Sequence, residues 1–387
     1  MVAAVAALLL VATACSDDPP RIIGLETTTS TAPDGGPPTT EAPAPSTTTP
    51  VGRVQPVSSA APHIWVINLS TESYSSTYGP DTQIPYLAKE LTAQGAWLTQ
   101  YFAVTHGALG NYVAQVSGQP PTDAHKSDCP VFEELKVAST DEQGVVTGTG
   151  CVYPAAVPTV GGQLEQAGYT WRQYGEDMAN GQRFGEATTC RHPRIGGNDE
   201  TAAARPGDMY ATRHIGFAYF RSVIDDPSCS SHLADLRALP GDLATVDATP
   251  NVSFITPNLC NDGHDAPCID GSPGGMAAAD SWLRQWVPTI TASPAYQKNG
   301  ILILTFDQAE PDDSSGCCGQ PAGGGRVGAV VLGPKVTAGT IDPTPYNHYS
   351  LLCSIENAFG LQRLALAAAP DLACFISPAG GGAASKA

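Results

Sequence analysis

The chain has 387 residues, of which 42% are hydrophobic, so it is long enough to bury a full core in one large domain. Its formal net charge is −18 at pH 7, and a field of this sign repels polyphosphate backbones. We therefore expect no nucleic-acid partner.

The amino terminus has the features of an export signal. Residues 1–15 form an apolar run that is too short to cross a bilayer and that ends in small residues and Cys15. This segment resembles a bacterial lipoprotein signal peptide, without the usual positive residues at its start. Cleavage before Cys15 would leave a lipid-modified cysteine, which predicts an extracytoplasmic protein anchored to the cell membrane. The alternative is a short buried helix.

The next segment differs sharply in composition from the rest of the chain. Residues 16–61 are rich in Thr, Pro and Ser and contain almost no bulky apolar side chains. This composition predicts a disordered, extended stalk. We expect one globular domain over residues 62–376 and a flexible tail over residues 377–387.

Short β-branched runs alternate with segments of helical period from residue 62 onward. This alternation predicts an α/β fold with a mainly parallel central sheet and helices on both faces. Strands are expected at residues 63–68, 169–174, 252–256, 301–306 and 327–332, and helices at 85–94, 111–116, 161–167, 279–292 and 349–359. In such sheets the functional residues gather at the carboxyl ends of the strands.

The chain contains 11 cysteines, which is many for a cytosolic protein and typical of an oxidised, exported one. If Cys15 carries a lipid, an even number remains for disulfides. A zinc cluster is the alternative, but no CxxC with a matching second half occurs. Neighbourhood in the sequence suggests Cys129 with Cys151, Cys260 with Cys268 and Cys353 with Cys374, while Cys317 and Cys318 could pair with two different segments.

Six blocks of the sequence carry a resemblance to known proteins: residues 63–79, 101–118, 255–265, 279–283, 305–310 and 345–352. In this order they resemble a bacterial secreted phosphoesterase family that includes acid phosphatases and phospholipase C enzymes and has the alkaline-phosphatase superfold. The resemblance implies phosphoester hydrolysis that uses a divalent metal ion, a hydroxyl nucleophile and donors around the phosphoryl oxygens.

The metal-ligand positions implied by the resemblance are largely substituted. Ser70 and Thr71 stand where the family has Glu and Asn, and Asp307 is followed by Gln308 instead of a second carboxylate. Neutral hydroxyls bind a hard dication more weakly than carboxylates do. A local shift that brings in Glu72 is the alternative, and the acidic loop residues Glu310, Asp312 and Asp313 are further candidate ligands.

The nucleophile position of the family falls on Ala108, whose methyl group cannot attack phosphorus. Thr105 is the nearest hydroxyl and would need a rebuilt backbone to replace it. Asn111 matches the family residue that hydrogen-bonds phosphate, and capping of a helix is its alternative role.

Histidines are better preserved than the other site residues. His214, His264 and His348 match family positions that line the phosphate pocket, and His106 directly precedes the substituted turn. Several histidines at strand ends favour a common pocket over separate structural roles. Asp262 and Asp265 could orient His264, act as ligands or cap a turn.

These residues leave three functional hypotheses. The first is a surface lipoprotein with a catalytically impaired phosphoesterase domain, whose remaining pocket binds a phosphorylated small molecule, a lipid head group or a phosphorylated glycan. The second is an active metal-dependent phosphomonoesterase or phosphodiesterase that uses a shifted site. The third is a different hydrolase with Ser70, Ser73 or Thr105 as nucleophile beside a histidine, for which no GxSxG elbow is present.

Overall fold

The computed structural model describes residues 61–320 and 322–378. The expected signal segment with Cys15, the stalk up to residue 60 and the tail from residue 379 lie outside the described residues. Twelve strands are present: β1 His63–Leu69, β2 Ala96–Leu98, β3 Tyr101–Phe102, β4 Lys136–Thr140, β5 Val146–Thr149, β6 Trp171–Gly175, β7 Leu233–Asp235, β8 Val252–Thr256, β9 Gly300–Phe306, β10 Ala329–Leu332, β11 Thr340–Asp342 and β12 Tyr346–Asn347, counted over the described residues.

The helices are mostly short. A π-helical turn at Tyr86–Leu91 and 3₁₀ turns at Met178–Phe184, Thr212–His214, Gly216–Tyr219, Leu236–Ala238 and Ala365–Ala368 complete the elements. The α-helices are α1 Tyr74–Tyr78, α2 Thr92–Gln94, α3 Ala108–Ser117, α4 Asp123–Lys126, α5 Val160–Gln166, α6 Arg221–Ile224, α7 Cys229–His232, α8 Leu239–Asp242, α9 Gly275–Thr291, α10 Pro294–Asn299 and α11 His348–Phe359.

Eight strands form the central sheet, in the order β11-β2-β10-β9-β1-β8-β6-β7. Its centre is parallel, because β1 pairs in parallel with both β8 and β9. All seven residues of β1 and of β9 are buried, as expected for strands that are covered on both faces. The predicted α/β class with a mainly parallel sheet is confirmed.

One strand of the sheet departs from the parallel arrangement. β10 runs antiparallel to both β9 and β2. The sequence predicts this strand but not its direction, because its apolar run is fully buried in either orientation. The exposed hairpin of β4 and β5 and the short edge strands β7 and β11 lack a strong period and are found only in the structure.

Three of the disulfides predicted from the sequence are confirmed: Cys129–Cys151, Cys260–Cys268 and Cys353–Cys374. Cys190 pairs with Cys229. The expectation that Cys317 and Cys318 pair with two different segments is wrong, because they bond to each other.

The described residues also bear on two other possibilities, a zinc site and a membrane-spanning helix. Among the described residues, the group with metal-ligating geometry contains Cys260, Cys268 and Asp270, but its two sulfurs are joined in a disulfide. This removes the thiolates that a zinc site would use. Within the described ranges, no helix has both the length and the apolar character needed to span a membrane.

Candidate functional site at the carboxyl ends of the central strands

The two halves of the expected metal site meet where β1 and β9 end. These parallel neighbours are in register up to Leu69 and Phe306, and the Asp307 amide donates to the Leu69 carbonyl at 2.8 Å. The residues that follow each strand therefore lie side by side. We call Ser70, Thr71, Asp307 and Gln308 the Asp307 cluster.

Asp307 is fully buried and accepts hydrogen bonds from its own cluster. The Ser70 hydroxyl donates to Oδ2 at 3.1 Å, and the Thr71 amide donates to Oδ1 at 3.0 Å. Burial raises the pKa of Asp307 to about 7, although both hydrogen bonds act in the opposite direction. Thr71 adopts a φ of 45°, a strained conformation for a residue with a β-branched side chain.

Gln308 joins the Asp307 cluster to the turn that carries the nucleophile position. Its Oε1 accepts from the Gly107 amide at 2.7 Å, and its Nε2 donates to the Thr71 hydroxyl at 3.2 Å. Both ends of the side-chain amide are therefore used within the protein. A carboxylate at this position could keep the first bond, but it could only accept from the Thr71 hydroxyl and not donate to it.

The divalent cation implied by the resemblance does not fit these donors. Asp307 is the only carboxylate of the Asp307 cluster, and its oxygens already accept from Ser70 and Thr71. Gln308 is neutral, and its oxygen faces the Gly107 amide. Hard dications favour several anionic oxygen ligands, and within the described residues no three such groups converge here.

The other acidic residues proposed as substitute ligands are engaged elsewhere. Glu72 accepts from the Ser76 hydroxyl at 2.7 Å. Asp313 accepts from the Ser315 hydroxyl at 2.6 Å and from the Arg326 amide at 3.0 Å. Glu310 is exposed and contacts Ser73 through its backbone. The carboxylates of Glu72 and Asp313 therefore act in their own loops, whereas the contact of Glu310 involves its backbone alone.

The turn before α3 is fixed by its backbone contacts. Gly107 is the N-cap of α3 and has a φ of 89°, and a Cβ atom there would collide with the Lys126 carbonyl. Ala108 begins the helix and is buried. The Thr105 hydroxyl, the alternative nucleophile, donates to the His106 carbonyl at 2.8 Å.

Asn111 holds this turn together from inside α3. Its Oδ1 accepts from the amides of Val104 and Thr105, and its Nδ2 donates to the carbonyls of Thr105 and Gly107. Every hydrogen-bonding position of the side-chain amide is used. In this structure Asn111 braces the turn and offers no free group to a ligand.

The His348 side chain contacts the backbone carbonyl of Asp307. Its Nε2 lies 2.7 Å from the Asp307 carbonyl, and its Nδ1 lies 3.1 Å from both the Tyr101 hydroxyl and the Gln115 amide nitrogen. Burial lowers the pKa of His348 to about 4, so the ring is neutral. These contacts are satisfied when Nε2 carries the proton and Nδ1 accepts.

His214, Asp262 and His264 form a second group, which we call the Asp262 cluster. The Asp262 carbonyl accepts from the Ser70 amide at 2.8 Å, so this cluster adjoins the Asp307 cluster. Oδ1 of Asp262 accepts from the His264 amide, and Oδ2 lies 3.8 Å from His214 Nδ1. Burial and the charge of Asp307 raise the pKa of Asp262.

The two histidines of the Asp262 cluster differ in exposure. His214 is 2% exposed, stacks on Tyr112 of α3 and has a pKa far below its usual value because of burial. The His264 side chain is 51% exposed, and its Nδ1 lies 2.9 Å from Asp265. Burial acts to lower the pKa of His264, but the hydrogen bond to Asp265 and the charge of Asp262 outweigh it and raise the pKa.

The hydroxyls of the third hypothesis do not pair with a histidine. Ser70 donates to Asp307, Thr105 donates to a backbone carbonyl, and Ser73 accepts from the Glu310 amide at 3.2 Å. Activation of a serine or threonine requires an adjacent base. The described contacts therefore give this hypothesis no support.

Two charged residues of the site are missed by the sequence analysis. Asp128 accepts from the Leu109 amide at 2.9 Å, and its other oxygen lies 3.9 Å from the guanidinium of Arg213. Arg213 directly precedes His214, so its place in the sequence could have identified it as a site residue. No sequence feature could have identified Asp128, because 19 residues separate it from Leu109.

Comparison with known proteins gives the family of this chain. The sequence profile of the Phosphoesterase family matches residues 63–362. A phosphate-repressible acid phosphatase of Penicillium chrysogenum is 26% identical over 78% of this chain and 59% of its own length. The chain thus spans little more than half of that fungal relative.

A bacterial relative is matched over a larger share of its length. The phosphatidylinositol-3-phosphatase of Mycobacterium tuberculosis is 27% identical over 78% of each chain. A solved structure of an alkaline phosphatase superfamily protein from Vibrio parahaemolyticus aligns with a TM-score of 0.46 and 12% identity, over 81% of this chain and 68% of that one. Because the family profile covers most of the sequence, this chain belongs to the Phosphoesterase family.

Proposed function

We propose that this chain is a phosphoesterase-family protein that has lost hydrolysis and binds a phosphorylated or other anionic ligand at the retained site. We further propose that it does so outside the cytoplasm, anchored to the cell membrane through Cys15. The observation that supports the first proposal is that the same site lacks both the expected nucleophile and the expected set of metal ligands. Ala108 has no hydroxyl, and the Asp307 oxygens are held by Ser70 and Thr71.

The remaining polar groups support binding. Arg213 supplies a positive charge next to His214 of the Asp262 cluster, and His264 is half exposed with a raised pKa. Cationic and N–H groups of this kind bind phosphoryl oxygens. The names of the relatives, acid phosphatase and phosphatidylinositol-3-phosphatase, make a phosphomonoester or an inositol phosphate head group the ligand class that we favour.

The absence of hydrolysis is directly testable on the purified protein. With p-nitrophenyl phosphate and its bis-ester, at pH 4 to 9 and with Mg²⁺, Mn²⁺, Ca²⁺ or Zn²⁺, we expect no turnover above buffer. Elemental analysis should find less than one bound dication per chain. Robust turnover that Asp307→Ala abolishes would show that the active, shifted-site alternative is correct.

Binding is measured separately from turnover. Inorganic phosphate added to the ¹⁵N-labelled protein should shift amide resonances of the Asp262 cluster in a saturable way. His264→Gln should weaken this binding because it removes a titratable cation, whereas the exposed Gln285→Ala on α9 should not change it. Unchanged spectra at millimolar phosphate would contradict the binding proposal.

The anchoring proposal rests on the sequence alone. We expect the full chain, expressed in a bacterium that processes lipoproteins, to sediment with the membrane fraction. Cys15→Ser should move it to the soluble extracytoplasmic fraction or block its processing. Equal membrane content of the two proteins, both processed to the same length, would contradict a lipid anchor at Cys15.

A further inference from the structure

The amino end of α3 carries an unusual long-range cap. The N-cap residue of this 10-residue helix is Gly107, which has no side chain to accept from the free amides of the first turn. Instead, the Asp128 carboxylate accepts from the Leu109 amide at 2.9 Å and from the Ala108 amide. Free N–H groups at a helix start attract anions, and a carboxylate from a distant loop satisfies them here.

A cation stands beside this carboxylate. The Arg213 side chain is 13% exposed, and its Nε lies 3.9 Å from Asp128 Oδ2. One of its five N–H donors is bonded to the Ala202 carbonyl at 2.8 Å. Arg213 directly precedes His214 of the Asp262 cluster in the chain, and its charge also acts on Asp262 and His264.

Buried polar atoms without a partner lie along the same helix. His214 Nε2 makes no hydrogen bond in the described part of the chain, and its ring stacks on Tyr112 of α3. The two ring nitrogens of His106, just before the N-cap, are likewise buried and unpartnered. Buried polar groups in native proteins normally have a partner, so these nitrogens point to a bound species beside the first turns of α3.

The negative charge of Asp128 limits how an anion could bind at the start of α3. Burial is the main cause of the raised pKa of Asp307, and the negative charge of Asp128 adds to it. A phosphate dianion placed beside the Asp128 carboxylate would add like charges in a poorly solvated site. The Asp128 side chain is 36% exposed, and its backbone is held by the adjacent disulfide Cys129–Cys151. Its carboxylate can therefore rotate toward solvent while the loop stays in place.

We infer that Asp128 is an internal anion that occupies the phosphoryl position at the start of α3, and that a phosphomonoester binds there by displacing it and pairing with Arg213. This inference rests on the proposed function and makes it more specific. A dianion carries more charge than the carboxylate that it replaces, so the exchange favours phosphomonoesters over diesters and carboxylates. No bond is made or broken in the exchange.

Neutral variants of Asp128 test the inference. Asp128→Asn keeps an oxygen that can cap Leu109 but removes the charge, and Asp128→Ala frees both amides. With inorganic phosphate as the probe, we expect Asp128→Asn to bind at least about tenfold more tightly than the wild type. The Leu109 amide resonance should shift over the same range of phosphate concentration in which the variant binds. Arg213→Gln in the Asp128→Asn background should lose this gain.

The matched control is Asp123→Asn, which changes the net charge equally at a fully exposed position on the neighbouring helix α4. If Asp123→Asn and Asp128→Asn change phosphate affinity alike, or if neither changes it, Asp128 is only a helix cap and the inference is wrong. Phosphate shifts at His264 without a shift at Leu109 would overturn the inference and leave the proposed function intact. No binding by any variant would overturn both.

Circular dichroism shows whether each variant folds. If Asp128→Asn does not fold, the wild-type protein still decides the question. Saturating phosphate must then shift the Leu109 amide, and methyl phosphate must compete with it more strongly than dimethyl phosphate or acetate does. Equal competition by the three compounds would contradict displacement of an internal carboxylate by a dianion.

Discussion

Changing four positions of the site together to the residues implied by the family is expected to give a dication-dependent phosphatase from a protein that we propose to be inactive. The substitutions are Ala108→Ser, Ser70→Glu, Thr71→Asn and Gln308→Glu. We expect p-nitrophenyl phosphate hydrolysis to rise by at least about 10²-fold over the wild-type background when Mn²⁺ or Mg²⁺ is added. Loss of a nucleophile or a ligand typically lowers rates by orders of magnitude, so its return should raise them comparably.

The contacts explain why all four changes are needed. Ser70 and Thr71 each occupy one acceptor site of the Asp307 carboxylate and supply no carboxylate of their own. Gln308 donates to Thr71 and is neutral, whereas a glutamate there could still accept from the Gly107 amide. Ala108 already occupies the first position of α3, where a hydroxyl would be presented beside the helix N–H groups.

The matched control is the triple variant that keeps Ala108. It should bind one dication by elemental analysis yet show no turnover, because the attacking hydroxyl is absent. Activity in the triple variant would mean that another group, such as Thr105, can act as nucleophile. An inactive quadruple variant that is folded and holds its metal would contradict the assignment of these four positions.

Replacing Glu356 is expected to change how stability depends on pH. Glu356 is buried in α11, its Oε1 accepts from the Leu364 amide at 2.9 Å, and burial raises its pKa to about 8. Between about pH 4.5 and 8 the native state keeps a proton that the unfolded state releases. The free energy of unfolding therefore falls as pH rises through this window.

Glu356→Gln keeps the acceptor for Leu364 and removes the titration. We expect the variant to be more stable than the wild type by on the order of 1–3 kcal/mol at pH 8.5, with little difference at pH 4.5. Urea unfolding at a series of pH values measures this difference. Asp262 and Asp307 also have raised pKa values, but they are present in both proteins and cancel in the comparison.

The control for this experiment is Glu142→Gln, an exposed carboxylate between β4 and β5. Its stability should follow that of the wild type at every pH. If the curves of Glu356→Gln and the wild type run parallel, Glu356 has the same pKa in the native and unfolded states, which would contradict the raised pKa. A larger difference at pH 4.5 than at pH 8.5 would contradict the direction of the pKa shift.

The sequence predicts those parts of the fold that depend on local pattern. The strands β1, β8 and β9 and the helices α3, α9 and α11 have strong periodicity or long apolar runs, and each is found within a few residues of its expected place. The π-helical turn at Tyr86–Leu91 and the direction of β10 are not predicted, because neither leaves a local signature.

The candidate site divides in the same way. Asp307 and Ser70 could be placed together, because both follow strands that end at one edge of the sheet. The role of His348 could not be predicted, since its contacts with the Asp307 carbonyl, Tyr101 and Gln115 depend on how α11 packs. The same holds for the bracing of the turn by Asn111.

The sequence by itself determined the family and the layered α/β class, and it predicts that Ala108 stands at the nucleophile position, because each of these is recorded in residue identity and order. Only the tertiary structure decided what the substituted residues do. It joins Gln308 to Gly107 and Thr71, and it places the Asp128 carboxylate on the first turn of α3. Such contacts connect residues far apart in the chain, and their energy depends on packing and burial, which local sequence patterns do not record.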